Sequence, residues 1–191
     1  ITGGLDLGAT AITGLTSLSV SGNTSLGAGV TTTGNQTYGD GDDTATLATN
    51  VTVNSGGTVI FDGDVDGLAG GQTLTVATGD LEFRGDVGVD TNNQLGAIDV
   101  TNGNLTVTAA GTIQGAGAIT ADSATISGAV GTATATANTV LSIAIDTTST
   151  LGADVETTGG QTYTGLATLG GNVTLTTPGT VQFGAGVSAT A

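Results

Sequence analysis

Thr32-Thr33-Gly34-Asn35-Gln36-Thr37-Tyr38 occurs again, nearly letter for letter, as Thr157-Thr158-Gly159-Gly160-Gln161-Thr162-Tyr163. The two copies are 125 residues apart. The same offset holds upstream, where Leu26-Gly27-Ala28-Gly29-Val30 matches Leu151-Gly152-Ala153-Asp154-Val155. Downstream the offset becomes 122, with Leu47–Val53 matching Leu169–Leu175 and Thr58-Val59-Ile60-Phe61 matching Thr180-Val181-Gln182-Phe183. The difference falls between Tyr and the next Leu, where Gly39-Asp40-Gly41-Asp42-Asp43 has no counterpart. The internal repeat is therefore residues 24–65 against 149–187. Strand-like pieces are kept while a Gly/Asp piece changes length, as in a scaffold whose loops vary.

Outward from the repeat, the whole chain carries the same texture. Leu5-Asp6-Leu7, Leu18-Ser19-Val20, Val51–Val53, Leu74–Val76, Leu81–Phe83, Ile98–Val100, Leu105–Val107 and Val140–Ile145 alternate apolar and small polar residues. That is the period of half-buried strands. Gly, Asn and Asp separate them, and Asn54-Ser55-Gly56-Gly57 reads as a turn. No window keeps apolar residues at helical spacing without a Gly. Leu5, Leu26 and Leu47 lie 21 residues apart, which suggests the length of one turn of a coil. The segment 131–137, Gly-Thr-Ala-Thr-Ala-Thr-Ala, reads as a thin strand or a loop.

Composition narrows the choice between a sandwich and a solenoid. Gly and Thr make up about 40% of the 191 residues, and aromatics only 3%. A compact core has little to work with here, because aromatic rings usually carry much of its buried area. Stacked small aliphatics make a long thin core, with like residues in ladders. The chain is expected to be all-β, a single parallel β-helix (β-solenoid) over residues 1–191, with about nine turns of roughly 20 residues. The 125-residue offset is close to six turns of 21, so the repeat is expected to keep its faces aligned.

The net charge of −15, with Arg84 as the one cation, argues against nucleic-acid binding and against anionic membranes. No apolar run reaches the ~20 residues of a membrane helix, so no membrane insertion is expected. The absence of Cys and His excludes disulfides, zinc sites and nucleophile triads. The chain opens at Ile1 without Met or a basic, apolar leader, which fits a processed protein or a piece of a longer one.

The Thr-Thr-Gly-x-Gln-Thr-Tyr motif is followed by Asn-Val-Thr-Val/Leu, Thr-Val-x-Phe and Gly70-Gly71-Gln72-Thr73-Leu74-Thr75-Val76. Together these resemble the repeat regions of bacterial filamentous-haemagglutinin-like adhesins and related autotransporter passengers. The resemblance covers residues 24–108 and 149–187. It implies a right-handed parallel β-helix, secreted to the bacterial cell surface or beyond, serving as a structural stalk or filament in adhesion or biofilm. It leaves open the host or cell-surface receptor. An open β-helix turn exposes unpaired backbone groups. Continuation in a longer repeat array, or end-to-end self-association, is therefore expected.

Asp62-Gly63-Asp64-Val65-Asp66-Gly67 matches the start of a calcium loop. Asp62, Asp64 and Asp66 are the candidate metal ligands, and calcium the one candidate cofactor. The twelfth position is Thr73 instead of Glu, and the second copy has Gly184-Ala185-Gly186 here. The alternative is that the acids form β-turns on a solvated edge. Asp40, Asp42 and Asp43 form a second acidic loop. A calcium- or carbohydrate-binding β-helix module is the second functional expectation. Catalysis is not expected: paired carboxylates are present, but no His, Lys or Trp accompanies them to hold a sugar. Tyr38 and Tyr163 read as caps at the edge of the core, with a binding face as the alternative. Thr-x-Thr pairs such as Thr106/Thr108, Thr132/Thr134/Thr136 and Thr174/Thr176 read as outward Thr ladders, or else as a flat water-ordering face.

Overall fold

A computed structural model describes residues 1–89, 92–131 and 139–190. The Thr132–Ala137 segment lies outside the described residues. Every regular element among those described is a strand, and every strand pair is parallel. The chain winds as a β-solenoid of about eight turns with ~21-residue spacing. Nine rungs stack on the second face, joined by eight steps, in keeping with the expected coil.

Each turn visits three faces in order. The first face stacks Leu5–Leu7, Thr24–Leu26, Thr44–Leu47 and Asp64–Gly67. It then narrows to single bridges through Val87, Ile113 and Val130 before Val155–Glu156 pairs with Leu175–Thr176. The second face carries the inward ladder Ile12, Val30, Val53, Val76, Val100, Ala121, Ile145, Tyr163, Phe183. The third carries Val20, Tyr38, Phe61, Phe83, Val107, Ile126, Leu151, Leu169, Ala189. Strict alternation explains the stacking. Apolar residues at i and i+2 point inward, Thr and Ser between them point out, and a one-residue slip would reverse both. Val140–Ile145, the strongest alternation, is a strand as expected.

Three expectations are corrected. Leu26 stacks on Leu47 but also on Leu7, not Leu5, so the first turn is shorter than 21 residues. The turn expected at Asn54–Gly57 lies inside one strand, Val51–Phe61. Its neighbours Gln72–Phe83, Leu95–Val107 and Ala116–Ile126 are continuous as well. The corner between second and third faces bends without leaving its ladder: Asn54 and Ser55 still pair with Thr31 and Thr32.

The third correction concerns the repeat. Tyr38 lies on the third face in the second rung, and Tyr163 on the second face in the eighth. The repeat therefore spans five full turns and two faces, not a whole number of turns. A three-faced coil permits this. Each face needs the same short x-apolar alternation, so a block displaced by one face meets an equivalent environment.

Candidate functional site

The repeated motif builds a corner. Gln36 is fully buried, with its Nε2 donating to the carbonyls of Val30 (3.3 Å) and Asn54 (2.7 Å). Its Oε1 accepts the Tyr38 hydroxyl at 2.7 Å. One side chain thus ties two faces of one turn to the next turn. The second copy repeats this: Gln161 Nε2 donates to the Val155 and Thr176 carbonyls, at 3.1 and 3.0 Å, and its Oε1 accepts the Tyr163 hydroxyl at 3.2 Å. Thr32 and Thr157 hydroxyls both bond the carbonyl two residues on. Ser55 and Thr177 hydroxyls close the following turn onto the Gly34 and Gly159 carbonyls. A buried amide and phenol with every partner supplied are stabilising; unpartnered, each would be costly.

Both tyrosines are buried, at 1% exposure, so they neither cap the edge of the core nor form a binding face. Tyr38 stacks on Phe61 at 5.1 Å between ring centroids and Phe61 on Phe83 at 5.7 Å; Tyr163 stacks on Phe183 at 5.3 Å. The repeat puts one aromatic directly above another in successive rungs. Burial raises both phenol pKa values well above the usual tyrosine range.

The three candidate calcium ligands sit around strand Asp64–Gly67. Asp64 and Asp66 flank the buried Val65, so they share its outward side, spread along an extended backbone. Asp62 Oδ1 pairs with Arg84 at 3.2 Å, and Glu82 pairs with the same guanidinium at 2.6 Å. Arg84 is thus not isolated, and its pKa rises through Glu82 first and Asp62 after it. Asp64 Oδ1 accepts the Asp86 N–H at 2.8 Å. Asp62, Asp64, Asp42 and Asp86 line a shallow groove of about 620 Å³ together with Arg84; Asp66 is not among its lining residues. In the neighbouring loop the Asp40 carboxyl is held above its usual range by a hydrogen bond to Asp43 and by the charges of Asp43, Asp42 and Asp62. Like charges crowd here, and Arg84 offsets them only at Asp62 and Glu82 among the described residues.

Asp64 belongs to a wider device that sequence reasoning missed. At corner after corner, an Asn or Asp oxygen accepts a backbone N–H one turn later. The pairs are Asn23–Thr44 (2.9 Å), Asn35–Thr58 (3.0 Å), Asn50–Thr73 (2.9 Å), Asp64–Asp86 (2.8 Å), Asp80–Asn104 (2.9 Å), Asp86–Thr112 (2.9 Å) and Asp154–Thr174 (2.7 Å). Each satisfies an N–H that the bend takes off its ladder. The available signal was an Asn or Asp just before an inward residue, apolar in most cases but Thr24 and Gln36 in two, recurring about every turn. Of the expected outward Thr pairs, Thr106 stands in a row on the third face with Thr125, Thr150, Thr168 and then Ser188, whereas the Thr108 hydroxyl is buried. Thr176 pairs with Glu156 on the first face, so it is not part of that row.

Fold and corners together define the class, a parallel β-solenoid repeat protein. Compared with protein-family models, curated proteins and solved structures, the chain matches none.

Proposed function

We propose that this chain is a structural rod, a repeat segment of a secreted bacterial surface adhesin or extracellular filament. The observation that carries the reading is the unbroken stacking of inward ladders through nine rungs on the second and third faces. Such a coil converts sequence length into axial length, at about 4.8 Å per turn. The resemblance of the Gln-Thr-Tyr repeat to adhesin repeat regions supports it, as does a repeat that tolerates displacement by one face, since units can then be added without a fixed length. Extension along the axis, by further repeats in one polypeptide or by stacking of chains, belongs to the proposal. The −15 charge opposes sideways association and leaves the axial direction open. The test is immunogold labelling of the intact cells that make the protein. Label on thin surface fibres is expected; label confined to the cell interior would overturn it.

A second reading rests on the groove that brings Asp62 and Asp64 beside Asp42 and Asp86. Calcium bound there would relieve the crowding of like charges. Added calcium is then expected to raise the melting temperature, and Asp64→Asn to abolish the rise. An identical melting curve with calcium and with chelator would remove this reading.

A further inference from the structure

Among the described residues, the seven corner acceptors divide by residue type in a way their structural task does not require. Asn and Asp oxygens accept the next turn's N–H equally well. Three of the seven are Asn, and the residue two further on is a hydroxyl each time: Asn23-Thr24-Ser25, Asn35-Gln36-Thr37 and Asn50-Val51-Thr52. Four are Asp, and none is followed in this way: Asp64-Val65-Asp66, Asp80-Leu81-Glu82, Asp86-Val87-Gly88 and Asp154-Val155-Glu156. A role confined to the backbone hydrogen bond sets no rule on the residue two positions later. A carboxamide paired with a hydroxyl at i+2 is the acceptor pattern for N-linked sugar. The repeat preserves one instance, since Asn172-Val173-Thr174 is the counterpart of Asn50-Val51-Thr52.

The geometry fits that chemistry. Asn23, Asn35, Asn50 and Asn172 are all exposed. In the first three, Oδ1 is turned onto the next coil, and no hydrogen bond among the described residues uses Nδ2. A sugar on Nδ2 leaves the amide oxygen in place, so the corner bond survives the modification. Ser25, Thr37 and Thr52 lie two residues along from their Asn, at spacing that puts both side chains on the outward side. Asn104-Leu105-Thr106 has the same letters but a different state. Asn104 is half-buried, its Nδ2 donates to Thr106 Oγ1 at 2.7 Å, and its Oδ1 accepts from Ser123 at 3.1 Å.

We propose that Asn23, Asn35, Asn50 and Asn172 are N-glycosylation sites, which place sugars on the outer corners of the coil. The donor is a sugar activated as a diphosphate ester, and a separate transferase carries out the step. The Asn Nδ2 forms a bond to the anomeric carbon, the bond from that carbon to the diphosphate oxygen breaks, the diphosphate leaves with the electron pair, and the Nδ2 proton passes to a base. Sugars at these corners add bulk and hydration to a surface whose own polar groups are mostly short Thr, Ser and Asn side chains. The proposal stands or falls separately from the filament reading, because it concerns only the corners of the folded coil.

The test is peptide mapping by tandem mass spectrometry of the full chain isolated from the cells that make it, using a protease that cuts at Asp. The wild-type chain is expected to carry an N-linked sugar at Asn50. Thr52→Val should abolish that sugar while Thr52→Ser keeps it, and circular dichroism should show both variants folded. Bare Asn50 in the wild-type chain, or sugar there that survives Thr52→Val, would overturn the proposal.

Discussion

At the scale of the residue, the best-determined position is Gln36. It is the polar group that a thin apolar core is least suited to hold, yet it is fully buried, and its counterpart Gln161 is too. Replacing it with Leu keeps the bulk but strands the Tyr38 hydroxyl and the Val30 and Asn54 carbonyls. Gln36→Leu is therefore expected to destabilise the coil by roughly 2–4 kcal/mol, read as a lowered denaturant midpoint. An unchanged midpoint would mean that the corner is held by the stacked rings alone. The phenols it engages set an alkaline limit. Their folded pKa values lie above the ordinary one, so between about 10 and the raised value the unfolded chain has released protons that the folded chain retains. Stability is full below that window and falls as pH rises through it. A spectrophotometric titration should show phenolate appearing only together with loss of the β-type circular dichroism. Phenolate formed near pH 10 with the fold intact would contradict the burial.

At the scale of the element, the strands were legible and their corners were not. Period-two alternation located the inward residues, because burial on one side and Thr on the other leave a clear signal. The Gly-rich separators were ambiguous. Asn54–Gly57 has turn composition, yet the bend is gentle enough to stay in the ladder, and Gly serves there as a residue that lets successive turns approach. Gly117 shows the same requirement in strand Ala116–Ile126: a Cβ at that position would run into the Gly96 carbonyl of the turn before. Gly8, by contrast, has open space around it. Gly117→Ala is expected to cost about 1–3 kcal/mol, as overpacking does, and Gly8→Ala close to nothing. Comparison of the two melting curves decides it; equal curves would mean that the turns are not in close backbone contact. The acidic motif takes a shape that its letters do not show, for a related reason. Asp-x-Asp-x-Asp-Gly read as letters suggests a converging loop, but Val65 between Asp64 and Asp66 points into the core and extends the backbone.

At the scale of the whole molecule, the coil was legible from periodicity, while the phase of its repeat was not. The offset of 125 residues looked like a whole number of turns because 21 divides it almost evenly. Turn lengths in fact vary, from the 17 residues between Ile113 and Val130 to the 26 between Val87 and Ile113. An average therefore cannot fix which face a distant residue reaches. What does fix it is the local pattern of inward pairs, rung by rung. The central claim is thus a register, and the absence of any native Cys allows a clean test of it. Thr106 and Thr125 are partners in adjacent rungs of the third face, both on its outward row. Neighbouring strands at about 4.8 Å place their Cα atoms within reach of a disulfide. In the double variant Thr106→Cys/Thr125→Cys, mild oxidation is expected to give a quantitative intramolecular disulfide in the folded chain, and none with Thr106→Cys/Ser127→Cys, whose second position lies two residues on, just past the end of strand Ala116–Ile126. Failure of the first pair to close, or equal closure of both, would contradict the parallel register on which the whole account rests.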